Sequence, residues 1–295
     1  VLVNKLPPGL AAAAKGEEND RMVNRTITSF DGVAIAYSVS GTAETALVFI
    51  HGGMSNRSDW DGQHDAFSGR FRVIAPDLAG HGESGRNRRE WGMPQFARDV
   101  VAVMDAEHVS RAVLIGSSLG GPVAIEAALL APGRVLAIIG VDTLQDLGRT
   151  IDADMMNHAA DEWRKDPKAS LDRGLKFLLH DDMDPDLYED IRRRMSRTPP
   201  EVVCAMYRSF GGYNAGKVAA EIKPPIRCIC GDKIPIDIEA VRRVVPDFDA
   251  VVLWNIGHYP MLECPDEFNR RLGRYLDELG VIPSLTASRA DSSGG

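Results

Sequence analysis

Hydrophobic positions along this chain form short unbroken runs, separated by longer stretches in which apolar residues recur with a helical period. Residues 45–50, 72–76, 112–115, 135–141, 224–231 and 250–254 are nearly continuous apolar runs, the pattern of strands buried on both faces. Between and after them, residues 94–106 place Phe96, Val100, Val101 and Met104 on one stripe. Residues 122–130 have helical character, and residues 265–279 place Phe268, Leu272, Tyr275 and Leu276 on one face. Nearer the start, residues 25–30 and 33–38 flank Asp31-Gly32, a pair suited to a hairpin turn. Strands alternating with helices predict an α/β fold, with a mostly parallel central sheet and helices on both faces. Reactive groups in such a sheet belong at the carboxyl ends of the strands.

The pattern changes over residues 144–218, where polar and charged segments dominate and nothing reads as a strand. We read this stretch as a helical cap inserted between two strands of a core formed by residues 25–143 and 219–283. Residues 1–24 read as an N-terminal arm. Residues 284–295, rich in Ser, Ala and Gly, read as a disordered tail.

Composition narrows the field. Apolar residues make up 44% and charged residues 26% of the 295 positions, as in an ordinary globular protein. The net charge of −8, from 34 basic against 42 acidic residues, argues against a nucleic-acid partner. The densest basic run, from Arg86 to Arg89, is short and abuts Glu90, as a solvated loop would. No apolar run approaches the ~20 residues of a membrane span. Of the four cysteines (Cys204, Cys228, Cys230 and Cys264), the middle two lie two apart in an apolar run. They would share one face of a strand, a poor disulfide geometry. A C-x-C pair without matching histidines is a weak metal signal. Buried free thiols suit a reducing compartment, so a cytoplasmic location is expected, and no metal.

The chemistry centres on residues 112–130, where an apolar run is followed by Gly116-x-Ser118-x-Gly120 and then by a helical segment. In that context Gly-x-Ser-x-Gly is a nucleophile elbow. A serine raised on a sharp strand-to-helix turn needs glycines on either side, because side chains there would strike the neighbouring strand and helix. Ser118, not Ser117, is the expected nucleophile. The Leu119 N–H, at the start of the helix, would point toward a developing oxyanion.

Three further motifs accompany the elbow: His51-Gly52-Gly53, Asp77-x-x-Gly80-x-Gly82-x-Ser84, and Gly257-His258 followed by Pro260-x-Leu262-Glu263-x-Pro265. Their identity, order and separations over residues 26–282 resemble the α/β-hydrolase family. The resemblance implies a Ser–His–acid triad, a two-step acyl transfer and no cofactor. His258 would take the Ser118 proton and return it to the leaving group. The Gly53 or Met54 N–H would be the second oxyanion donor.

The acid is where the chain departs from the family's usual pattern. The position that commonly carries aspartate is Ile234 here. Asp142, at the end of an earlier strand, and Asp232, after Gly231, both keep the order Ser…Asp…His; Asp237 lies further along the same loop. One of these is expected to complete the triad. His51 and His81 match loop-shaping positions of the family, while His64, His108, His158 and His180 read as surface or packing residues.

These features imply a serine hydrolase acting on a carboxylic ester of a small or medium acid. Met155, Met156, Trp163, Phe177 and Met206 of the cap are candidate pocket liners. The same triad would also serve a C–C bond, lactone or thioester hydrolase, and a slow-turnover small-molecule receptor of this fold would retain it as well. The partner expected is a small-molecule ester. Oligomeric state is not legible in the sequence.

Overall fold

The buried apolar runs do pair side by side. The computed structural model describes residues 21–281, so the expectations for residues 1–20 and for the tail after residue 281 lie outside the described part. The first hairpin joins β1 (Val23–Thr28) to β2 (Ala34–Ser40). β1 starts two residues before the sequence pattern places it. Ser29 N–H donates to Val33 O at 2.8 Å and Gly32 N–H to Ser29 O at 3.0 Å, so the loop is three residues, 30–32, rather than the Asp31-Gly32 pair alone, and Gly32 takes the φ of +86° that closes such a loop.

The core follows as β3 (Thr45–Ile50), α1 (Asp61–Phe67), β4 (Arg72–Pro76), α2 (Met93–Ala106), β5 (Arg111–Ser117), α3 (Gly120–Leu130) and β6 (Val135–Val141). Sheet order is β1-β2-β4-β3-β5-β6, continuing through β7 (Ile226–Gly231) to β8 (Asp249–Leu253). β1 and β2 run antiparallel to their neighbours, and every other pairing is parallel. All six residues of β3 are buried, as helices on both faces demand. In α2 the buried stripe is Phe96, Ala97, Val100, Val103 and Met104. Val103 takes the place expected for Val101, because positions 96, 97, 100, 103 and 104 follow the 3.6-residue period of one face and 101 falls off it. α9 (Ile238–Arg242), α10 (Pro260–Glu263) and α11 (Pro265–Glu278) complete the core, with Phe268, Leu272, Tyr275 and Leu276 of α11 buried as the pattern predicts.

Five helices separate β6 from β7: α4 (Ala153–Lys165), α5 (Pro167–Leu178), α6 (Pro185–Met195), α7 (Pro200–Phe210) and α8 (Ala215–Ala219). Their polar sequence has a local cause. Asp152, Asp166, Asp184 and Asn214 each accept a hydrogen bond from a first-turn N–H, and proline opens α5, α6 and α7, so these residues start helices rather than interrupt them. α4 packs on α7 to hold the layer together. Among the described residues no helix is long and apolar enough to cross a membrane.

Candidate active site

The carboxyl ends of β3, β5 and β6 and the loop after β8 meet at one place. At the end of β5 the chain turns so tightly that a Cβ on Gly116 would lie 2.1 Å from Gly120 O, and one on Gly120 would lie 2.3 Å from Ile50 O. Only glycine admits both approaches. Between them Ser118 is held at φ +49°, its N–H donating to Val141 O at 3.2 Å and its carbonyl accepting from Thr143 Oγ1 at 2.8 Å. Leu119 follows at the entry to α3 and is buried.

The loop after β3 approaches from one side, with the Gly52 Cα close enough that a Cβ there would sit 3.2 Å from Ser118 Cβ. Met54 in this loop has φ +64°. His51 fixes the loop from beneath: its Nδ1–H donates to Gly52 O at 2.7 Å, and its Nε2 accepts from Leu78 N–H at 2.9 Å. Burial pushes the His51 pKa down to about 4, and burial together with the nearby His51 pushes that of His81 down to about 3. Both rings are therefore neutral near pH 7, and both shape loops. In the neighbouring turn Asp77 accepts from the N–H groups of Arg57 (2.7 Å) and Glu83 (2.8 Å), while Ser84 Oγ donates to Asp77 O at 2.7 Å. The spacing of Asp77, Gly82 and Ser84 is thus the hydrogen-bonding pattern of one loop.

From the other side comes His258. Its Nδ1 lies 2.5 Å from Asp142 Oδ2. Both side chains are buried, at 8% and 1% exposure. The second Asp142 oxygen accepts from Gly231 N–H at 3.1 Å and from Gln145 Nε2 at 3.3 Å. That carboxylate is therefore oriented by three donors. The Glu263 carboxylate accepts from Gly257 N–H (2.7 Å) and Tyr259 N–H (2.9 Å), one on each side of His258, and His258 N–H donates to Leu178 O at 3.1 Å. Burial raises the Glu263 pKa above the usual value.

Asp232 is elsewhere engaged. It bonds His180 Nε2 at 2.8 Å and accepts from Asn255 N–H (3.0 Å) and Ile256 N–H (3.2 Å). Partial burial raises its pKa, but those N–H and imidazole donors outweigh it and leave the carboxyl below its usual range. Asp237 caps α9 through Ala240 N–H at 2.9 Å. The structure thus brings Asp142 to His258 and places Asp232 and Asp237 in loop and helix-end roles. Gly231, the last residue of β7, directs its N–H at Asp142, while Asp232 beside it is tied to His180 and to the Asn255–Ile256 backbone.

Ser118 and His258 open onto one cavity of about 190 Å³, which Gly52, Gly53, Met54, Ser117 and Leu119 also line. Of the liners expected from the five-helix layer only Met206 is there. Met155 and Phe177 are exposed at 51% and 67%, and Trp163 is buried between helices. Leu178, Met195, Tyr207, Phe210 and Tyr259 take their place. The sequence carried a faint sign of two of them: Tyr207 and Phe210 are three apart on one helix that also bears Met206.

The comparisons fit this architecture. An uncharacterized protein of Mycobacterium tuberculosis is 38% identical over 111 residues, which are 37% of this chain and 31% of that protein. The chain spans less than a third of the length of that curated relative. The pimeloyl-[acyl-carrier protein] methyl ester esterase of Edwardsiella ictaluri is 26% identical over 268 residues, covering 84% of this chain and 99% of the esterase. A thermophilic esterase from Thermogutta terrifontis shares the fold with a TM-score of 0.77 at 24% identity, over 87% of this chain and 99% of that one. The family model described as alpha/beta hydrolase family matches residues 47–271. With its eight-stranded, mostly parallel sheet and that match across most of its length, this chain belongs to the alpha/beta hydrolase family.

Proposed function

We propose that this hydrolase cleaves carboxylic esters by acyl transfer to Ser118, with His258 as general base and acid and Asp142 as the residue that orients it. One observation carries the reading: the Asp142–His258 contact of 2.5 Å lies at the edge of the cavity onto which Ser118 opens. Asp142 holds the proton on Nδ1, leaving Nε2 free to accept the Ser118 hydroxyl proton as Oγ adds to the ester carbonyl. The oxyanion then faces the Leu119 N–H and the N–H of Gly53 or Met54. Each such donor is worth roughly 3–4 kcal/mol of transition-state stabilisation. Collapse breaks the C–O bond, and His258 returns the proton to the departing alcohol. Water, deprotonated by His258 in the second step, releases the acid. No cofactor enters this sequence.

Hydrolysis of p-nitrophenyl butyrate by wild type and Ser118→Ala, side by side, tests the proposal. Multiple turnover in the wild type that falls by at least a thousandfold in Ser118→Ala is expected. Turnover that survives in the mutant would place the chemistry elsewhere, and a single slow turnover in the wild type would favour a ligand receptor.

A further inference from the structure

We infer that the acyl group this site accepts is short and uncharged, and that Met206 sets its length limit. The inference rests on the ester-hydrolase reading above. After the alcohol leaves, the acyl group stays bonded to Ser118 Oγ and must lie in the space that residue faces. That space is about 190 Å³. An apolar protein cavity of about 150 Å³ holds one benzene molecule, so the volume suits an acyl group of about six carbons and crowds one of ten.

The walls set the charge. Beyond the site itself the lining is Leu178, Met195, Met206, Tyr207, Phe210 and Tyr259, with no lysine, arginine, aspartate or glutamate. The Tyr259 hydroxyl is already directed to Met195 Sδ at 3.4 Å. A carboxylate on the far end of an acyl chain would lose its water and find no cation, which buried charge does not tolerate.

Met206 lies against the reacting end. Its Sδ stands 2.5 Å and its Cε 3.1 Å from where a Cβ on Gly53 would be, with Leu119 Cδ2 at 4.0 Å from the same point. Its tip therefore lies over Gly53, beside Leu119, at the two backbone positions that flank the oxyanion. Met206 is buried in α7, so its backbone is fixed while the unbranched side chain fills the gap. Truncation to alanine removes Cγ, Sδ and Cε from the wall and lengthens the cavity at that end.

The test is kcat/KM across p-nitrophenyl acetate, butyrate, hexanoate and decanoate, and for the mono-p-nitrophenyl ester of adipic acid. Wild type, Met206→Ala and the volume-conserving Met206→Leu are compared. In the wild type, decanoate is expected at least tenfold below hexanoate, and the adipate ester at least a hundredfold below hexanoate. Met206→Ala should raise the decanoate-to-hexanoate ratio at least fivefold, whereas Met206→Leu keeps the wild-type ratio. A ratio needs no correction for the fraction folded. A wild type that takes decanoate or the adipate ester as readily as hexanoate overturns the inference, as does a ratio unmoved by Met206→Ala. Failure to turn over any ester in the series overturns the ester-hydrolase reading and this inference with it.

Discussion

Arg194→Met should destabilise the protein strongly at pH 8 and weakly at pH 5. Arg194, near the end of α6, places Nη1 2.7 Å from Asp59 Oδ1 and Nη2 2.6 Å from Asp190 Oδ2. Asp59, in the short turn Arg57–Trp60 of the core, is 2% exposed and also accepts from the Ser55 hydroxyl. Burial pushes its pKa up to about 6; Arg194 and Ser55 pull it down, and Asp190 and Asp61 push it further up. A raised carboxyl pKa favours the protonated folded state. Its contribution to stability is therefore complete below the unfolded value of about 3.9 and is lost as pH passes 6, a loss of about 3 kcal/mol at 1.36 kcal/mol per unit. Removing Arg194 lifts the Asp59 pKa above 6. At pH 8 the added penalty is capped at about 3 kcal/mol, because a pKa beyond 8 leaves the group simply protonated. At pH 5 Asp59 is mostly protonated with or without Arg194, so less than about 1 kcal/mol from this source remains. Urea unfolding at both pH values, for wild type, Arg194→Met, Asp59→Asn and the double mutant, reads these terms. The Asp59→Asn background should abolish the pH dependence of the Arg194→Met effect. An Arg194→Met penalty of equal size at pH 5 and pH 8 would refute the argument.

Two further outcomes are expected. Asp142→Asn should lower kcat for ester hydrolysis by about 10⁴-fold: its amide oxygen stays on Gly231 N–H, so its NH2 faces Nδ1 and donates to it, fixing the wrong imidazole tautomer. Asp232→Asn should leave kcat within about tenfold while lowering the melting temperature through the loop it ties; the reverse ranking in steady-state kinetics would move the acid to Asp232. Cys228 and Cys230 are fully buried, and burial pushes the Cys228 pKa well above its usual value, so a thiol reagent should label both only after denaturation. Cys264, half-buried, should react first in native buffer, and rapid native labelling of Cys228 would count against its place inside β7.

The elbow was legible in the chain because strand, turn and helix there are local, and local steric demands select the residues. Gly116 and Gly120 announce the close approaches that the structure contains. The partner of His258 was not legible. Asp142 and Asp232 stand at the ends of adjacent strands, and only the sheet register, with Gly231 N–H directed at Asp142, decides which carboxylate the ring meets. The pocket walls were least legible. Met155 and Phe177 carry the same apolar side chains as Met206 and Phe210, yet they are exposed, because the packing of α4 on α7 and of α5 on α4 and α6, and not composition, decides which side of each helix looks inward. Of the two readings open for His64, surface or packing, the structure shows burial, and its hydrogen bonds with Ser38 and Ser40 at 2.8 and 2.7 Å have no signature in sequence.

Met54, Ser118 and Asp142 share an unusual backbone state, with φ of +64°, +49° and +43°. Holding a non-glycine residue there costs on the order of 1–3 kcal/mol. The proposed reacting centre is therefore where endurance and activity pull against each other. Ser118→Gly would relax the turn and raise the melting temperature while removing the proposed nucleophile. A lineage selected for heat resistance alone would lose its chemistry first at these three positions, and a designer seeking a hardier version of this enzyme should leave them strained and look for stability in the outer helices.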